Sequence, residues 1–585
     1  MKNVLAAVIA AVEAEGEKLA QEFYLPQGPR GKGGSAPIDT EIEERLREKL
    51  QKLLPATFAG EETGTTPGSE KGWTWLVDPH DGTSEFLSGR RGSAVSVALL
   101  RGGEPVLGVV HAPLSPDRGR DTIAWAEGAT AMLRNGEKLQ PSLAGRRIAA
   151  GEFVLATASS AQRPQTWSAA AAPGRYFAVP SIAYRMARVA AGDGIATVST
   201  HGVAEYDIAA GMALIGAAGG VTLDVSGQPI ELAAKAERRV SGVYAGAPEA
   251  AAKLAQFDFA RLDAEPRRAR RVELGFPRRD LGAALARAQG CLLGQVIGDS
   301  LGSLVEFKGA AEIAKLHPRG VRDLADGGVY HTIAGQPTDD SEMAIALARS
   351  IVAQRGFVPE KVLEAYRELM TTRPLDIGAT TERGLLGMHT NESESNGALM
   401  RIAPVGVYCA GDAAKAADAA RADAALTHRN PVCLEASSGF AAAIALGVGG
   451  ASREEMVRAA LARSSGAAHD AIRRGAEGAL PTEFEKNQGW VLIALQNAFF
   501  HLVASGFEDA LVKTVARGGD TDTNAAIAGA LCGAARGREA IPMRWIRPVL
   551  ACRPLPEAGA PRPRPMPCWP DDVLDLAEAL LLAAS

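Results

Sequence analysis

The order of hydrophobic and polar positions changes character part-way along this chain. Between Thr74 and about Leu223, short apolar runs alternate with amphipathic stretches. Short runs are typical of β-strands, and a spacing of three to four residues is typical of helices. The predicted strands are 75–77, 93–100, 106–111 and 195–198, and the predicted helices are 182–191 and 208–218. We therefore predict that the first part is a mixed α/β domain.

The amino-terminal residues have two interpretations. Lys2, followed by apolar and small residues, is compatible with a short signal peptide. A first amphipathic helix explains the pattern better, because the acidic residues stay off one apolar face. The residues of that face are Leu5, Val8, Ile9, Val12, Leu19 and Phe23.

Beyond Asp280 nearly every segment has helical spacing, and strand-like alternation is scarce. The predicted helices are rich in alanine and leucine, which favour the helical state. They are 283–297, 343–352, 361–370, 413–424, 434–447, 491–504 and 524–535. The proline-rich stretch 554–570 predicts an extended surface segment before a last helix at 571–582. The second part is therefore predicted to be an all-α domain.

An arginine-rich stretch separates the two parts. Residues 261–279 hold seven arginines, three acids and two prolines, with little apolar periodicity. We predict domains at 1–258 and 281–585, joined by a basic linker at 259–280. A solvated linker is the simpler interpretation of the arginines, and a role in gripping phosphate is the alternative.

The bulk composition restricts the class of protein. With 585 residues the chain is too long for one core, and its 46% hydrophobic content is that of a globular protein. A net charge of −5 gives no general attraction to nucleic acid. Its six cysteines are scattered without a CxxC pair, which favours reduced, buried thiols. We therefore expect a cytoplasmic protein with no membrane partner.

The first candidate site is the sequence Asp78-Pro79-His80-Asp81-Gly82-Thr83, which follows a predicted strand. It combines carboxylates and a hydroxyl without cysteine, and such oxygen donors suit Mg²⁺. Gly82 allows the backbone to approach a ligand closely. The alternative is a structural Asx turn with a helix cap, since this spacing is common in loops.

Three motifs in the first half carry a family resemblance. They are GEET at 60–63, WLVDPHDGTSEF at 75–86 and YDIAAGMALIGAAGG at 206–220. In this order they resemble the inositol monophosphatase superfamily of Mg²⁺-dependent phosphomonoesterases, and they look closer to its 3′(2′),5′-bisphosphate nucleotidase branch than to the inositol phosphatases proper. The resemblance implies an α-β-α-β-α sandwich over roughly residues 1–256.

The resemblance also implies roles for individual residues. The first metal would be held by Glu61, Asp78 and the carbonyl of His80, and the second by Asp78, Asp81 and Asp207. Thr83, paired with Asp39, would help Glu61 to orient and deprotonate the attacking water, and Gly82 and Thr83 would contact phosphate. His80 departs from the apolar residue usual in the family, and we expect its side chain to be exposed. A plain helix cap is the alternative role for Asp39.

The second candidate site joins two distant acidic turns, Thr338-Asp339-Asp340 and Asp520-Thr521-Asp522-Thr523. Predicted helices begin near Ser341 and Asn524, so both turns would lie at helix amino termini. Simple capping is the alternative interpretation, although capping needs only one such residue in each turn.

Five motifs spread over 281–582 resemble the ADP-ribosylglycohydrolase family, which includes the dinitrogenase-reductase-activating glycohydrolases. They are GCLLGQVIGDSLGSLVEF at 290–307, PTDDSEMAIALARSI at 337–351, SNGALMRIAPVGV at 395–407, THRNP at 427–431 and ARGGDTDTNAAIAGALCGA at 516–534.

This resemblance implies a second set of roles. A pair of Mg²⁺ ions would be bound by Thr338, Asp339, Asp340, Asp520, Asp522 and Thr523. Glu306 would lie over the metals and act in acid–base catalysis. Asn396, Gly397 and Met400 would line the ADP-ribose pocket. His428 would either touch the ligand or serve in the core, and Glu392 and Glu394 either favour a cationic aglycone or are solvated loop charges.

Two functions from different classes follow. The first is a bifunctional Mg²⁺-dependent hydrolase with two or more ions in each domain, for which Mn²⁺ is a possible substitute. Its substrates would be a small-molecule or macromolecular ADP-ribosylated compound and a phosphomonoester of a nucleotide, an ADP-ribose phosphate or an inositol phosphate, with nucleic acid only as a substrate. The second is a sensor of ADP-ribose or nucleotide in which one or both sites do not turn over.

Overall fold

The structure is a computed structural model that describes residues 1–235 and 238–584. Its contacts divide the chain into two units, Met1–Asp280 and a second that begins at Leu281.

The first unit contains helices and two β-sheets. Its helices are α1 (Lys2–Phe23), α2 (Pro37–Leu53), α3 (Thr83–Leu87), α4 (Pro164–Ala171), α5 (Ile182–Ala190), α6 (Glu205–Ala217), α7 (Pro248–Ala255) and α8 (Arg261–Ala264). Its strands are β1 (Ala56–Gly60), β2 (Gly64–Thr66), β3 (Glu70–Asp81), β4 (Ala94–Arg101), β5 (Glu104–Ala112), β6 (Asp121–Ala126), β7 (Met132–Arg134), β8 (Glu137–Leu139), β9 (Phe153–Ala156), β10 (Arg175–Ala178), β11 (Ala196–Ala204), β12 (Val221–Leu223) and β13 (Arg239–Gly246).

These elements form five layers. The first sheet has the order β2-β1-β3-β4-β5-β6-β7-β8. Strands β1 and β3 are parallel, and every other neighbouring pair in this sheet is antiparallel. The second sheet has the order β10-β9-β11-β13-β12. Helices α1 and α2 pack on the first sheet, α5 and α6 contact both sheets, and α4 and α7 pack on the second. The predicted α-β-α-β-α sandwich is therefore confirmed.

The first helix forms because its apolar residues share one face. Leu5, Val8, Val12, Leu19 and Phe23 are buried, as predicted, whereas Ile9 is only partly buried. The first four belong to a core that also contains Trp75, Val97 and Val109 of the first sheet. Burial of each such side chain stabilises the fold by about 1.5–3 kcal/mol, so tertiary packing holds this helix in place.

The arginine-rich segment differs from the solvated linker that was predicted. It contains the short helix α8 and lies against the first unit. Glu265 accepts the backbone N–H groups of Gln165 and Thr166 at 2.9 and 2.8 Å, and the buried Arg278 donates to the Gly89 carbonyl at 2.7 Å. The polar composition of the segment did not predict this packing, because the backbone groups that it contacts are distant in sequence.

The described part of the second unit contains helices without a strand. They are α9 (Gly282–Gly302), α10 (Ala310–Leu316), α11 (Asp339–Gln354), α12 (Pro359–Thr371), α13 (Ala379–Leu385), α14 (Ala403–Tyr408), α15 (Ala413–Ala425), α16 (Pro431–Gly449), α17 (Arg453–Ala462), α18 (Gly466–Ala476), α19 (Val491–Ala504), α20 (Phe507–Val515), α21 (Thr521–Arg536), α22 (Met543–Leu550) and α23 (Val573–Ala583). The prediction of an all-α domain is confirmed.

The pair α9 and α21 forms the centre of this unit. Glycines spaced four residues apart lie where the two helices meet, so their backbones touch. A Cβ added at Gly294 or Gly298 would overlap backbone atoms of Gly529 or Ala525. The same contact continues to Gly302, beside the backbone of Asp522. Close packing of small residues thus fixes the position of Asp522 along the axis of α9.

The proline-rich stretch before the last helix is less exposed than predicted. It contains short 3-10 turns, and Trp569 in it is 1% exposed. Arg564 makes a buried ion pair with Glu342 of α11 at 2.5 Å. The segment is therefore anchored to α11, and its prolines only exclude regular structure.

One helix among the described residues, Pro431–Gly449, has the length and apolar composition of a membrane span. Within the second unit, 72% of it is buried. A mostly buried apolar helix is typical of the core of a large domain.

Candidate functional sites

Asp78 lies at the centre of the first site. It is near the end of β3 and is 1% exposed, because β1 and β4 flank it in the sheet. Its Oδ1 accepts the backbone N–H of His80 at 2.8 Å, which closes the turn. Gly82, at φ +98°, then starts α3 in a left-handed conformation that favours glycine.

Glu61 is brought to Asp78 by the loop that follows β1. Its backbone N–H donates to the Val77 carbonyl at 3.3 Å. Buried Glu43 of α2 holds the next residues, because it accepts the N–H groups of Glu62 and Thr63 at 2.9 and 2.7 Å. Glu43 therefore holds the loop that carries Glu61 in place, a role that the motifs did not identify.

Asp81 and Asp207 are each positioned at a helix start. Asp81 accepts the hydroxyl of Ser181 at 2.5 Å and the N–H of Ala183 at 2.7 Å, both at the beginning of α5. Asp207, in the first turn of α6, accepts the N–H of Ala204 at 2.7 Å. Both carboxylates thus have one oxygen fixed by the protein.

The acids of the first site are buried, and each disfavours ionisation of the others. Burial and the neighbouring charge of Asp207 raise the pKa of Glu61 to about 8. Burial and the charge of Asp81 raise the pKa of Asp207 to about 7. Burial and the charge of Glu61 hold the pKa of Asp78 well above its usual range. A divalent cation would remove this repulsion, so the donor set fits hard cations.

The structure corrects one expectation at this site. The side chain of His80 is not exposed but 1% accessible, and its Nδ1 lies 2.7 Å from Oδ1 of Asp39. Asp39 also takes the capping role, since its Oδ2 accepts the N–H of Ala36 at 3.2 Å. Thr83 donates to the His80 carbonyl at 2.7 Å, and its Oγ1 lies 3.5 Å from Asp39.

The second site is built around Asp299 of α9, which the motifs had not singled out. This buried carboxylate accepts the N–H and the hydroxyl of Thr338 at 3.0 and 2.9 Å, and the N–H of Ser341 at 3.0 Å. Helix α11 begins at Asp339, earlier than predicted, with Thr338 in the cap position. The Thr338 side chain makes no capping bond and is directed to Asp299 instead.

The other half of this site is the start of α21, which begins at Thr521. Thr521 donates to the carbonyl of Gly302 at 2.7 Å, and Asp520 accepts the amide of Asn396 at 2.6 Å. Glu306, Asp520 and Asp522 each offer an oxygen atom within 4.8 Å of the other two, which is a spacing that one metal ion bridges. Asp520 occupies the cap position without a side-chain capping bond.

The charges of the second site also fit a cation. Burial, followed by the charge of Asp520, raises the pKa of Glu306 to about 8. Burial holds the pKa values of Asp340 and Asp522 well above their usual range. Glu306 Oε2 and Asp340 Oδ1 are buried without a hydrogen-bond partner. Unpaired buried oxygens of this kind are what a metal ion satisfies.

The predicted substrate segment borders these acids. Asn396 contacts Asp520, and the carbonyl of Met400 accepts an N–H of Gln295 at 2.9 Å. Gln295 also donates to the Asp340 carbonyl at 3.3 Å, so it joins the substrate segment to the metal turn. A Cβ on Gly397 would press on His428 and Thr381, which explains the glycine.

His428 is a buried, hydrogen-bonded residue beside the substrate segment. Its Nε2 is 2.9 Å from the Ser395 hydroxyl and its Nδ1 is 2.8 Å from the Thr427 hydroxyl. Burial, followed by the charge of Arg401, lowers its pKa to about 3. His428 is therefore neutral and orients Ser395.

Two features at this site were missed by the sequence motifs. Asp376 lies close enough to Glu306 and Asp339 to raise their pKa values, although its loop has no distinctive composition. Trp490 is 37% exposed, and its indole N–H donates to Glu394 at 2.8 Å, whereas Glu392 is exposed. The sequence alone does not show that Trp490 lies beside the acidic loop, because the two are about a hundred residues apart.

Comparison with known proteins follows the division into units. The family model described as ADP-ribosylglycohydrolase matches residues 280–584, and that of the inositol monophosphatase family matches residues 1–257.

Individual relatives agree with these matches. The ADP-ribosyl-[dinitrogen reductase] glycohydrolase of Rhodospirillum rubrum is 32% identical over 44% of this chain and 89% of its own length. The ADP-ribosylarginine hydrolase Tri1 of Pseudomonas putida is 29% identical over 46% of this chain and 75% of its own. The probable inositol 1-monophosphatase ImpA of Mycobacterium tuberculosis is 31% identical over 34% of this chain and 74% of its own.

Proposed function

Because the chain belongs to the ADP-ribosylglycohydrolase family over its second unit and to the inositol monophosphatase family over its first, we propose that it is a bifunctional Mg²⁺-dependent hydrolase. Both families are hydrolases. The observation that carries the proposal is that each unit gathers several carboxylates whose pKa values are raised by burial and mutual repulsion. Such crowding is costly without a cation.

In the first unit, we assign Mg²⁺ binding to Glu61, Asp78, Asp81, Asp207 and the His80 carbonyl. When bound, the ions would acidify a water molecule and neutralise charge on a phosphate. Glu61 then orients and accepts a proton from that water, and Asp39 and Thr83 support it. Gly82 and Thr83 lie where the backbone turns into α3, and they contact the phosphate. The reaction is hydrolysis of a phosphomonoester.

In the second unit, we assign Mg²⁺ binding to two turns. The residues are Thr338, Asp339, Asp340, Asp520, Asp522 and Thr523. The ions would hold the hydroxyls of the terminal ribose. Carboxylates around that ribose stabilise the positive charge that develops at its anomeric carbon as the bond to the aglycone breaks.

Other residues of the second unit hold and process the substrate. Glu306 lies beside Asp520 and Asp522 and keeps its Oε2 buried without a hydrogen-bond partner, so we assign it the acid–base role toward the leaving group. The segment with Asn396, Gly397 and Met400 lines the ADP-ribose pocket. The indole of Trp490, fixed by Glu394, offers an open aromatic face for the adenine ring.

We propose that the aglycone is a protein side chain, with arginine as the first candidate. The relatives named above act on ADP-ribosyl-dinitrogen reductase and on ADP-ribosylarginine. An aglycone that leaves as a cation is compatible with the acidic character of this site.

The fusion suggests a substrate that bears both an ADP-ribosyl group and a phosphomonoester. ADP-ribose phosphates and ADP-ribosylated nucleic-acid ends meet this description, and nucleic acid would enter only as a substrate. The six cysteines are all buried and no disulfide joins them in the described part of the chain, which fits a reducing, cytoplasmic location.

The test is a product-resolved assay with two matched variants. Phosphate and ADP-ribose release are measured in the parent, in Asp81→Ala and in Asp522→Ala, with Mg²⁺, Mn²⁺ or EDTA. We expect Asp81→Ala to lose phosphate release and Asp522→Ala to lose ADP-ribose release, each by at least about a hundred-fold, while the other activity is retained. A parent that binds ADP-ribose but forms no product over hours would show a sensor instead of an enzyme.

A further inference from the structure

We propose that the imidazole of His80 is a positioning residue for the phosphatase reaction, because it orients the Asp39 carboxylate toward Thr83. The inference rests on the proposed phosphatase function. It concerns the His80 side chain, whereas the proposed metal binding uses only its backbone carbonyl.

The geometry of the pair is specific. His80 Nδ1 lies 2.7 Å from Asp39 Oδ1, and both side chains are almost completely buried. A carboxylate oxygen accepts hydrogen bonds, so Nδ1 carries the proton of this bond. The other oxygen, Oδ2, accepts the Ala36 N–H at 3.2 Å and lies 3.5 Å from Thr83 Oγ1. With both oxygens anchored, the carboxylate plane cannot rotate.

Packing fixes the imidazole as well. The His80 ring meets the Phe86 ring edge-on, with centroids 4.4 Å apart. Its Nε2 is buried without a hydrogen-bond partner. Burying an unpaired ring nitrogen costs free energy that an apolar side chain of similar size would avoid. The bond between Nδ1 and Asp39 is therefore the contribution that distinguishes histidine from an apolar residue here.

The orientation of Asp39 matters because of where the Thr83 proton goes. Thr83 donates to the His80 carbonyl at 2.7 Å, so its one proton is not available to Asp39. Asp39 Oδ2 and the Thr83 oxygen, 3.5 Å apart, are then both acceptors, and a water molecule beside the pair can donate a hydrogen bond to each. His80 thus keeps an acceptor at the proposed place of the attacking water, and it takes no part in proton transfer itself.

Two amide variants separate this role from simple filling of space. In His80→Asn the side-chain amide occupies the position of Nδ1 and can still donate to Asp39. In His80→Gln the amide reaches the position of Nε2 and cannot. Kcat and KM for phosphate release are measured at saturating Mg²⁺, with ADP-ribose release as evidence that the whole chain is folded.

We expect His80→Gln to lower kcat at least ten-fold with KM changed less than two-fold, and His80→Asn to stay within about three-fold of the parent. The matched control is His111→Asn. His111 is another buried histidine of the first sheet, with Nδ1 2.8 Å from Thr122 Oγ1 and no partner for Nε2. It should change the melting temperature without changing kcat. Equal kcat values in the two His80 variants would overturn the inference.

A crystal structure of the two variants gives a readout that does not depend on turnover. In His80→Gln we expect the Asp39 carboxylate to rotate away from Thr83, and in His80→Asn to remain. An unmoved Asp39 in His80→Gln would overturn the inference. If the parent releases no phosphate, the proposed phosphatase function fails, and the position of Asp39 still decides the role of His80.

Discussion

At the scale of single residues, both sites contain carboxylates whose pKa values are raised by burial. In the first, Glu61 and Asp207 have pKa values raised to about 8 and about 7, and in the second that of Glu306 is raised to about 8. Free carboxyl groups of these residues ionise near pH 4. Protons and divalent cations therefore compete for the same oxygen atoms.

This competition predicts an unusual dependence of stability on pH. Between about pH 5 and pH 8 the folded, cation-free protein binds more protons at these groups than the unfolded chain does, so its free energy of unfolding falls as the pH rises. Mg²⁺ binds the ionised groups and should stabilise by about 2.7 kcal/mol at a hundred-fold excess over Kd. Calorimetry in Mg²⁺ and in EDTA should show a larger Mg²⁺-dependent increase in Tm at pH 8 than at pH 6. An increase that is equal at both pH values would contradict the account.

Asp299 gives a second prediction at this scale. Asp299→Asn keeps the size of the side chain, but its amide faces the N–H groups of Thr338 and Ser341, which need an acceptor. Supports of this kind change metal-dependent activity by about 10- to 100-fold. We therefore expect ADP-ribose release to fall by that factor, with phosphate release unchanged as the internal control. Unaltered ADP-ribose release would show that Thr338 keeps its position without Asp299.

Sequence reasoning identified individual acids better than their supports. Asp78, Asp81, Asp340 and Asp522 stand out because they cluster in turns. Asp299 and Glu43 act through partners distant in the chain, so their roles depend on helix packing that no local pattern encodes. The burial of His80 was missed for the same reason, since Asp39 lies 41 residues away.

At the scale of elements, the packing of α9 on α21 connects the fold to the second site. Its glycines allow two backbones to touch, and Gly302 lies against Asp522, a proposed metal ligand. Spreading the helices would therefore move Asp522 relative to Asp340 of α11.

The prediction is that Gly298→Ala destabilises the second unit and weakens its site. The new Cβ would overlap the Ala525 carbonyl, a backbone atom that cannot turn aside. Overpacking of this kind costs about 1–3 kcal/mol. We expect a lower Tm and reduced ADP-ribose release. Gly216→Ala in α6 is the control, because a Cβ there has no neighbour within 4 Å, and it should stabilise by about 0.5–1 kcal/mol. If both variants behave alike, the glycine contact does not matter.

Most elements were predictable, but the starts of the two helices that carry the second site were not. Helix α19 has the bounds that its apolar periodicity predicts. Helices α11 and α21 begin two and three residues before the predicted starts, because their acidic first turns lack the apolar residues that mark a helix. Those polar turns carry the proposed metal ligands, so local pattern was least informative at the candidate site.

At the scale of the whole molecule, each unit has a core and an acidic site of its own. The first is a layered sandwich whose site lies at the end of β3, and the second is a helical domain whose site lies at the starts of α11 and α21. The two proposed activities should therefore be separable properties of one chain.

Separable units predict separable ligand effects in calorimetry. With Mg²⁺ present, ADP-ribose should raise the temperature of one unfolding transition, and inorganic phosphate should raise the temperature of the other. The reason is that a ligand stabilises the unit that binds it. Asp522→Ala should abolish the shift caused by ADP-ribose and leave the shift caused by phosphate. A single transition whose temperature both ligands raise equally would contradict the claim that the two units unfold independently.

The most direct test of the account is anomalous diffraction from crystals of the full chain soaked in Mn²⁺. We expect anomalous peaks at both acidic groups, one set among Glu61, Asp78, Asp81 and Asp207, and the other among Asp340, Asp520 and Asp522. Manganese serves because it takes the same oxygen ligands as Mg²⁺ and scatters anomalously. Well-ordered carboxylates with no peak between them in either unit would contradict the metal-dependent chemistry proposed for that unit.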